Sequence, residues 1–268
     1  MHMTQVLSSN QTLQSVEPLL VPAFGRFWQV RPAFAPVWRR DGRLMALEML
    51  SRVQDPETGA LCSPDIFFSE TPQSEQFRIL CWQLDVLSLL VKWSRIRDVP
   101  FSLNINRGQA LSLLGDPYIS GRVQTLAPLL RLEISERFID KDTHPENDPV
   151  LQGVRGLTTL WLDDFGAGAT GLSWLMSGFF DVVKIDRQLF RELVLLPEGV
   201  CFLNAFSSLA RALNTRITAE GVENRTLMAK ALSAGVDSCQ GWLWPEVSFT
   251  ELETLPTFLA DHEAESWE

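Results

Sequence analysis

Eight polar residues stand at the ends of short apolar runs: Glu48, Asn104, Glu133, Asp163, Asp164, Lys184, Glu220 and Gln240. Five are acids, two are amides and one is a lysine. Five carboxylates gathered on one rim would repel one another at neutral pH, and divalent cation is the simplest cure. All-oxygen donors favour Mg²⁺, Mn²⁺ or Ca²⁺ over softer metals. More than three carboxylates suggest two ions with one Asp bridging, and ions ~3.5–4 Å apart are typical of phosphate-ester hydrolysis. Lys184 fits as a cation that holds a hydroxide or a phosphoryl oxygen. Taken singly, each residue has an ordinary reading: Glu48 a satisfied strand acid, Asn104 a turn former, Lys184 a solvated charge, Gln240 a backbone partner. Their recurrence at successive run ends argues against all of these together. No Ser-His-Asp set, Cys-His set or P-loop competes.

The densest of these stretches is Leu160 to Gly168. The run Thr159 to Leu162 stops at Asp163-Asp164, and Phe165-Gly166-Ala167-Gly168 follows. A short apolar run before a glycine-bracketed loop reads as a buried strand. Successive strand residues point to opposite faces, so a regular strand cannot aim both acids the same way. Burying even one carboxylate is costly unless a cation or hydrogen bonds compensate.

The elements that must carry these residues follow from periodicity. Arg26–Trp38 and Arg43–Val53, joined by Arg39-Arg40-Asp41-Gly42, read as a hairpin. Strands are expected at 100–105, 129–134, 159–162, 181–185, 216–219 and 236–244. Between them lie helical patterns: one starting at Ser63-Pro64-Asp65, a long amphipathic one over 73–93, and others at 172–176, 187–196, 199–213 and 225–234. A last helix is expected at 250–261. Such alternation points to a parallel sheet with helical crossovers. At 268 residues, an α/β (β/α)₈ TIM-like barrel is the natural closure, with a doubly wound open sheet as the alternative. Residues 1–20 read as a polar lead-in and 21–268 as one domain.

Composition narrows the function classes. Net charge is −10, which argues against a nucleic-acid duplex as partner. No apolar run approaches the ~18 residues of a membrane span, so no membrane partner is expected. The four cysteines are scattered and read as reduced, mostly buried thiols of a cytoplasmic protein. The three histidines lie away from the strand ends, which argues against a His-rich zinc site.

With these residues in place, the chain resembles the EAL-domain cyclic di-GMP phosphodiesterases, in particular the stand-alone type of enteric bacteria. The family's Glu-Ala-Leu-Leu-Arg stands here as Glu48-Met49-Leu50-Ser51-Arg52, and its Asn strand as Ser102-Leu103-Asn104-Ile105. Glu133-Ile134-Ser135-Glu136 and Asp163 to Gly168 follow in order. Lys184-Ile185-Asp186-Arg187, Ala219-Glu220-Gly221-Val222-Glu223 and Gln240-Gly241-Trp242-Leu243 complete the set. The match runs from about residue 25 to 245.

The resemblance implies a barrel whose first strand is antiparallel. It also implies two Mg²⁺ or Mn²⁺ ions, hydrolysis of cyclic di-GMP to linear pGpG, and a homodimer as a possible assembly. By motif, Glu48, Asn104, Glu133 and Asp163 would hold metal, with Asp163 bridging. Asp164 and Glu220 would serve the second ion and its water, with Glu220 as the general base. Lys184 would anchor the attacking water. Arg52 would contact a substrate phosphate, Gln240 would orient substrate or water, and Glu223 would make a further substrate contact. Glu136 would brace the loop after Asp164. The chain departs from the family at Met49 and in the loop, where Ala167-Gly168-Ala169-Thr170-Gly171 replaces Thr-Gly-Tyr-Ser-Ser. The alternative is a catalytically weak member that regulates by binding cyclic di-GMP or a protein. Such members usually lack several metal ligands, and this chain lacks none.

Overall fold

The computed structural model describes residues 13, 15–138, 143–168 and 172–259. Among the described residues, eleven strands form one sheet: β1 (Leu19–Ala23), β2 (Arg26–Arg39), β3 (Leu44–Gln54), β4 (Leu61–Cys62), β5 (Phe101–Asn104), β6 (Leu130–Ser135), β7 (Thr159–Phe165), β8 (Val182–Ile185), β9 (Arg216–Ala219), β10 (Ser238–Cys239) and β11 (Val247–Ser248). Strands β3, β5, β6, β7, β8, β9 and β10 run parallel in that order. Strand β2 is antiparallel to both β3 and β10, and so closes an eight-stranded barrel. The expected hairpin is the β2–β3 pair. The sheet begins at Leu19, just inside the expected lead-in, where β1 pairs along the first half of β2.

The helices are α1 (Pro64–Glu70), α2 (Gln73–Leu89), α3 (Val91–Arg97), α4 (Arg107–Gly115), α5 (Pro117–Leu126), α6 (Pro149–Arg155), α7 (Leu172–Met176), α8 (Arg187–Val194), α9 (Pro197–Ala212) and α10 (Arg225–Ser233). Several start on an Asx cap: Asn106, Asp116, Asp148, Asp186 and Asn224 each accept a hydrogen bond from a first-turn amide. In β5 and β8 the cap comes two residues after the strand-end polar residue, Asn104 before Asn106 and Lys184 before Asp186. The connections that carry the rim residues are therefore short and pinned.

Strand alternation sorts the core into two. Leu47, Met49, Phe101, Leu103, Leu132, Leu160, Leu162 and Val183 face outward into the helix layer. Val37, Ala46, Trp161 and Val182 face the lumen and form an apolar floor. Two residues further along the same faces come Glu48 above Ala46, Asp163 above Trp161, and Lys184 above Val182. The period of two that makes the barrel also stacks a charged layer on that floor.

Four expectations change. The long helix over 73–93 breaks at Leu90, which closes a tighter turn onto Leu87 before α3 begins. The strand over 236–244 keeps only Ser238–Cys239 as ladder. Gly241 (φ +155°) lies against the Val222 backbone, and the amides of Val222 and Leu243 bond to Gln240 O and Val222 O at 3.0 and 3.1 Å. These bonds turn the chain away from the sheet.

The helix expected over 250–261 is one 3-10 turn, Glu251–Glu253, in the described part. Trp93 Nε1 donates to Leu252 O at 3.0 Å, and Arg97 donates to Glu253 O and Leu255 O at 2.7 and 3.1 Å. These side chains claim carbonyls that a helix would need, and Pro256 cannot continue one. Residues 260–261 of that expectation lie outside the described residues. Of the cysteines only Cys239 is buried; Cys62 and Cys81 are half-buried and Cys201 is exposed, all as free thiols. Among the described residues no helix is long and apolar enough to cross a membrane.

Candidate functional site

Lys184 is the centre of the rim. Its side chain is 1% exposed, and its Nζ lies 2.8 Å from Glu133 Oε2, 2.8 Å from Glu220 Oε1, 3.0 Å from Asp163 Oδ1 and 3.1 Å from Glu48 Oε2. Those carboxylates come from β6, the end of β9, β7 and β3. Glu48 is held from its other side: Asn104 Nδ2 donates to Oε1 at 2.6 Å and Gln240 Nε2 donates to Oε2 at 2.7 Å. Seven of the expected residues thus meet in one network, although their sequence positions span the chain.

Asp164 joins them through a defect in the ladder. Leu162 pairs with Val183 and Phe165 with Ile185, so β7 spends one more residue than β8 over that step. Asp164 takes the left-handed conformation, φ 56°, which Asp tolerates better than most residues. The bulge leaves Asp163 on the lumen face and turns Asp164 to the mouth, where it lines both cavities described below. This resolves the geometric conflict of adjacent acids in a strand. Carboxylate oxygens of Glu48, Glu133 and Asp163 lie within 4.8 Å of one another, and so do those of Asp163, Asp164 and Glu220. Each set could hold a cation, with Asp163 common to both.

Electrostatics agree with an unmet need for positive charge. Burial, opposed by Lys184 and reinforced by Glu48 and Asp163, pushes the Glu133 carboxyl up to about 8. Burial and neighbouring Asp163 push Asp164 up to about 6. Burial also raises Asp163 and, strongly, Glu220. Glu48 goes the other way: burial disfavours its charge, but Lys184, Gln240 and Asn104 together outweigh it. Lys184 is raised well above its ordinary range, since its four acids overcome burial. Glu133 Oε1 is buried with no hydrogen-bond partner. An acceptor left bare among acids fits a cation better than any donor nearby.

The remaining expected residues sit around this centre. Glu136 accepts from Gly166 N at 2.9 Å and Gly168 N at 2.6 Å, tying the start of the altered loop to β6. Residues 169–171 of that loop lie outside the described residues. Arg52 does not reach into the cluster; it forms a bidentate pair with Glu246. Glu223 is paired with Arg191 of α8 at the edge of a cavity. Glu246 and Arg191 escaped the sequence reading. Neither ends an apolar run, and Glu246 sits in an aperiodic segment whose partner is 194 residues away.

Comparison with known proteins places the arrangement. The EAL domain family matches residues 26–246. The chain is 29% identical over 236 residues to the cyclic di-GMP phosphodiesterase PdeH of Escherichia coli, covering 87% of this chain and 89% of that one. It is 23% identical over 223 residues to the anti-FlhC(2)FlhD(4) factor YdiV of Salmonella arizonae, covering 83% and 93%. A solved structure of the EAL-like domain protein YdiV superposes with a TM-score of 0.78 at 17% identity, covering 87% of this chain and 97% of that one. The PaMucR phosphodiesterase in complex with c-di-GMP superposes with a TM-score of 0.63 at 24% identity, covering 82% and 92%.

Proposed function

The chain belongs to the EAL domain family, and on that premise we propose that it is a phosphodiesterase that hydrolyses cyclic di-GMP to linear pGpG with two divalent cations, Mg²⁺ or Mn²⁺. One observation carries this reading: four carboxylates from four strand ends converge on Lys184, and a fifth is turned into reach by a bulge. Five carboxylates and one ammonium leave four formal negative charges, which two divalent ions would balance. Glu48, Asn104, Glu133 and Asp163 would hold one ion, and Asp163, Asp164 and Glu220 the other.

Bound there, the ions would supply Lewis-acid polarisation of the phosphodiester and neutralise charge on its oxygens. The chain's own residues do the rest. Glu220, which the ions would keep ionised, is suited to take the proton of the attacking water. Lys184 holds Glu220 and Asp163 in register and anchors that water. One ester P–O bond of the ring breaks as the new P–O bond forms, and the linear product leaves with a terminal phosphate. Gln240 fixes Glu48 and faces the cavity, so it can orient water or substrate. Arg52 and Glu223 stand at the mouth as substrate contacts, and Glu136 keeps the loop after Asp164 in place. A cytoplasmic bacterial setting follows from the proposed substrate.

The test is direct. Purified protein with Mg²⁺ or Mn²⁺ should convert cyclic di-GMP to pGpG, followed by chromatography. Ca²⁺ should block turnover, because its longer and looser coordination misplaces the nucleophile. Full turnover in EDTA would sink the metal-dependent reading. Binding of cyclic di-GMP with no product at any Mg²⁺ or Mn²⁺ concentration would instead favour a regulator that binds the dinucleotide, the reading to which the altered loop at Ala167 points.

A further inference from the structure

The groove above the barrel is divided. One cavity of about 470 Å³ is lined by Ala35, Leu50, Asp164, Glu220, Gln240 and Glu246, among others. A second, of about 530 Å³, is lined by Leu50, Arg52, Asn104, Arg107, Asp163 and Asp164, among others. They share Leu50 and Asp164. Across this boundary, Arg52 Nε donates to Glu246 Oε2 at 2.8 Å while Arg52 Nη2 donates to Glu246 Oε1. Arg52 belongs to the second cavity's wall and Glu246 to the first's.

Arg52 lies on β3 and Glu246 immediately precedes β11, and both strands pair with β2. Val247 of β11 pairs with Phe34 of β2, and Phe34 pairs with Met49 of β3. The ion pair therefore passes over β2, where Ala33 and Ala35 offer only small side chains. The two side chains are 35% and 33% exposed, so water and solutes reach the pair. A carboxylate engaged bidentately occupies the same guanidinium fork that two oxygens of a phosphodiester would use.

We propose that Glu246 is an internal competitor for Arg52: it closes the groove between the two cavities and must release the guanidinium before a phosphodiester spanning both can be held. The ligand in this proposal rests on the phosphodiesterase reading above. The pair itself does not, since it is a contact between two side chains of the chain. Half-exposed pairs are weak enough to exchange partners, whereas Lys184, with its buried partners, is not.

The experiment measures equilibrium binding of cyclic di-GMP to the whole chain with Ca²⁺ in place of Mg²⁺, for the natural protein and for Glu246→Gln. The variant should bind roughly two- to fivefold more tightly, the worth of an exposed pair. With Mg²⁺ the gain should fall on KM rather than on kcat. In an Arg52→Ala background the same substitution should change affinity little, because the competitor has nothing left to hold. By NMR, the Arg52 Nε–H proton should lose its protection from solvent exchange in Glu246→Gln without any ligand. Equal or weaker binding by Glu246→Gln, when the natural protein binds, overturns the competitor and leaves the phosphodiesterase reading intact. Failure of both proteins to bind overturns the ligand assignment, and the competitor with it.

Discussion

Two ion-pair sites share β3, one through Glu48 and the other through Arg52, and behave oppositely. At the barrel centre, Lys184 is enclosed and touches four carboxylates. At the mouth, Arg52 and Glu246 form a pair that is one third exposed. The inner site has no water to fall back on, so removing one member leaves charges that must find a proton or a cation. The outer site can trade its partner for solvent or a ligand at small cost. Burial, rather than residue type, separates a fixed frame from an exchangeable contact. The inner charges rest on the apolar floor of Val37, Ala46, Trp161 and Val182; the outer ones reach across β2.

The strongest way to break this contrast is Lys184→Met. In EDTA at pH 8 the metal-free variant should lose about 3–5 kcal/mol of stability, as expected when a buried partner is removed. Saturating Mg²⁺ should recover part of it. Denaturant unfolding at both conditions decides, and an unchanged midpoint would mean that the inner cluster is not energetically buried. Glu48→Ala comes next. It should lower turnover roughly 10²-fold or more through loss of a metal ligand, with the fold retained. Turnover equal to the natural protein's, or outright unfolding, counts against its role.

The pH dependence of the metal-free protein sharpens the same contrast. Glu133, raised to about 8, and Asp164, raised to about 6, bind more protons folded than unfolded above the ordinary carboxylate range. Groups with raised folded values stabilise fully below their unfolded pKa and lose that contribution as pH rises through the folded one. In EDTA the melting temperature should therefore fall between pH 5.5 and 8.5, by roughly 2–4 °C per kcal/mol lost. Mg²⁺ should flatten that slope by taking the protons' place. A melting temperature that climbs over this range in EDTA would show that the acids are not held protonated.

The smallest effect concerns the loop braced by Glu136. Ala167 offers no hydroxyl. Restoring Ala167→Thr with Ala169→Tyr should lower the Mg²⁺ midpoint of activity roughly two- to fivefold, the worth of ~0.5–1 kcal/mol for one restored hydrogen bond, with less change in saturated turnover. Overlaying metal curves would make the departures neutral.

Much of the fold and site could be read along the chain, and the reason is that the signals are local. Alternation with period two sets Glu48 on the face of Ala46 and Asp163 on the face of Trp161. Asp186 and Asn106 announce helix starts beside Lys184 and Asn104. Where distant side chains take over, the reading fails: Trp93 and Arg97 claim the carbonyls of the segment after Phe249 and cancel its helix.

The sequence alone determined which residues face the lumen, which strand ends carry acids, and the family to which their order belongs. Tertiary structure alone decided that Lys184 would have four carboxylates, that a bulge would turn Asp164 to the mouth, and that Glu246 would meet Arg52. The bulge belongs to the β7–β8 ladder; the other two depend on β2 pairing with both β3 and β10 to close the ring. Closure joins residues far apart in the chain, and no local periodicity encodes which of them will then be neighbours.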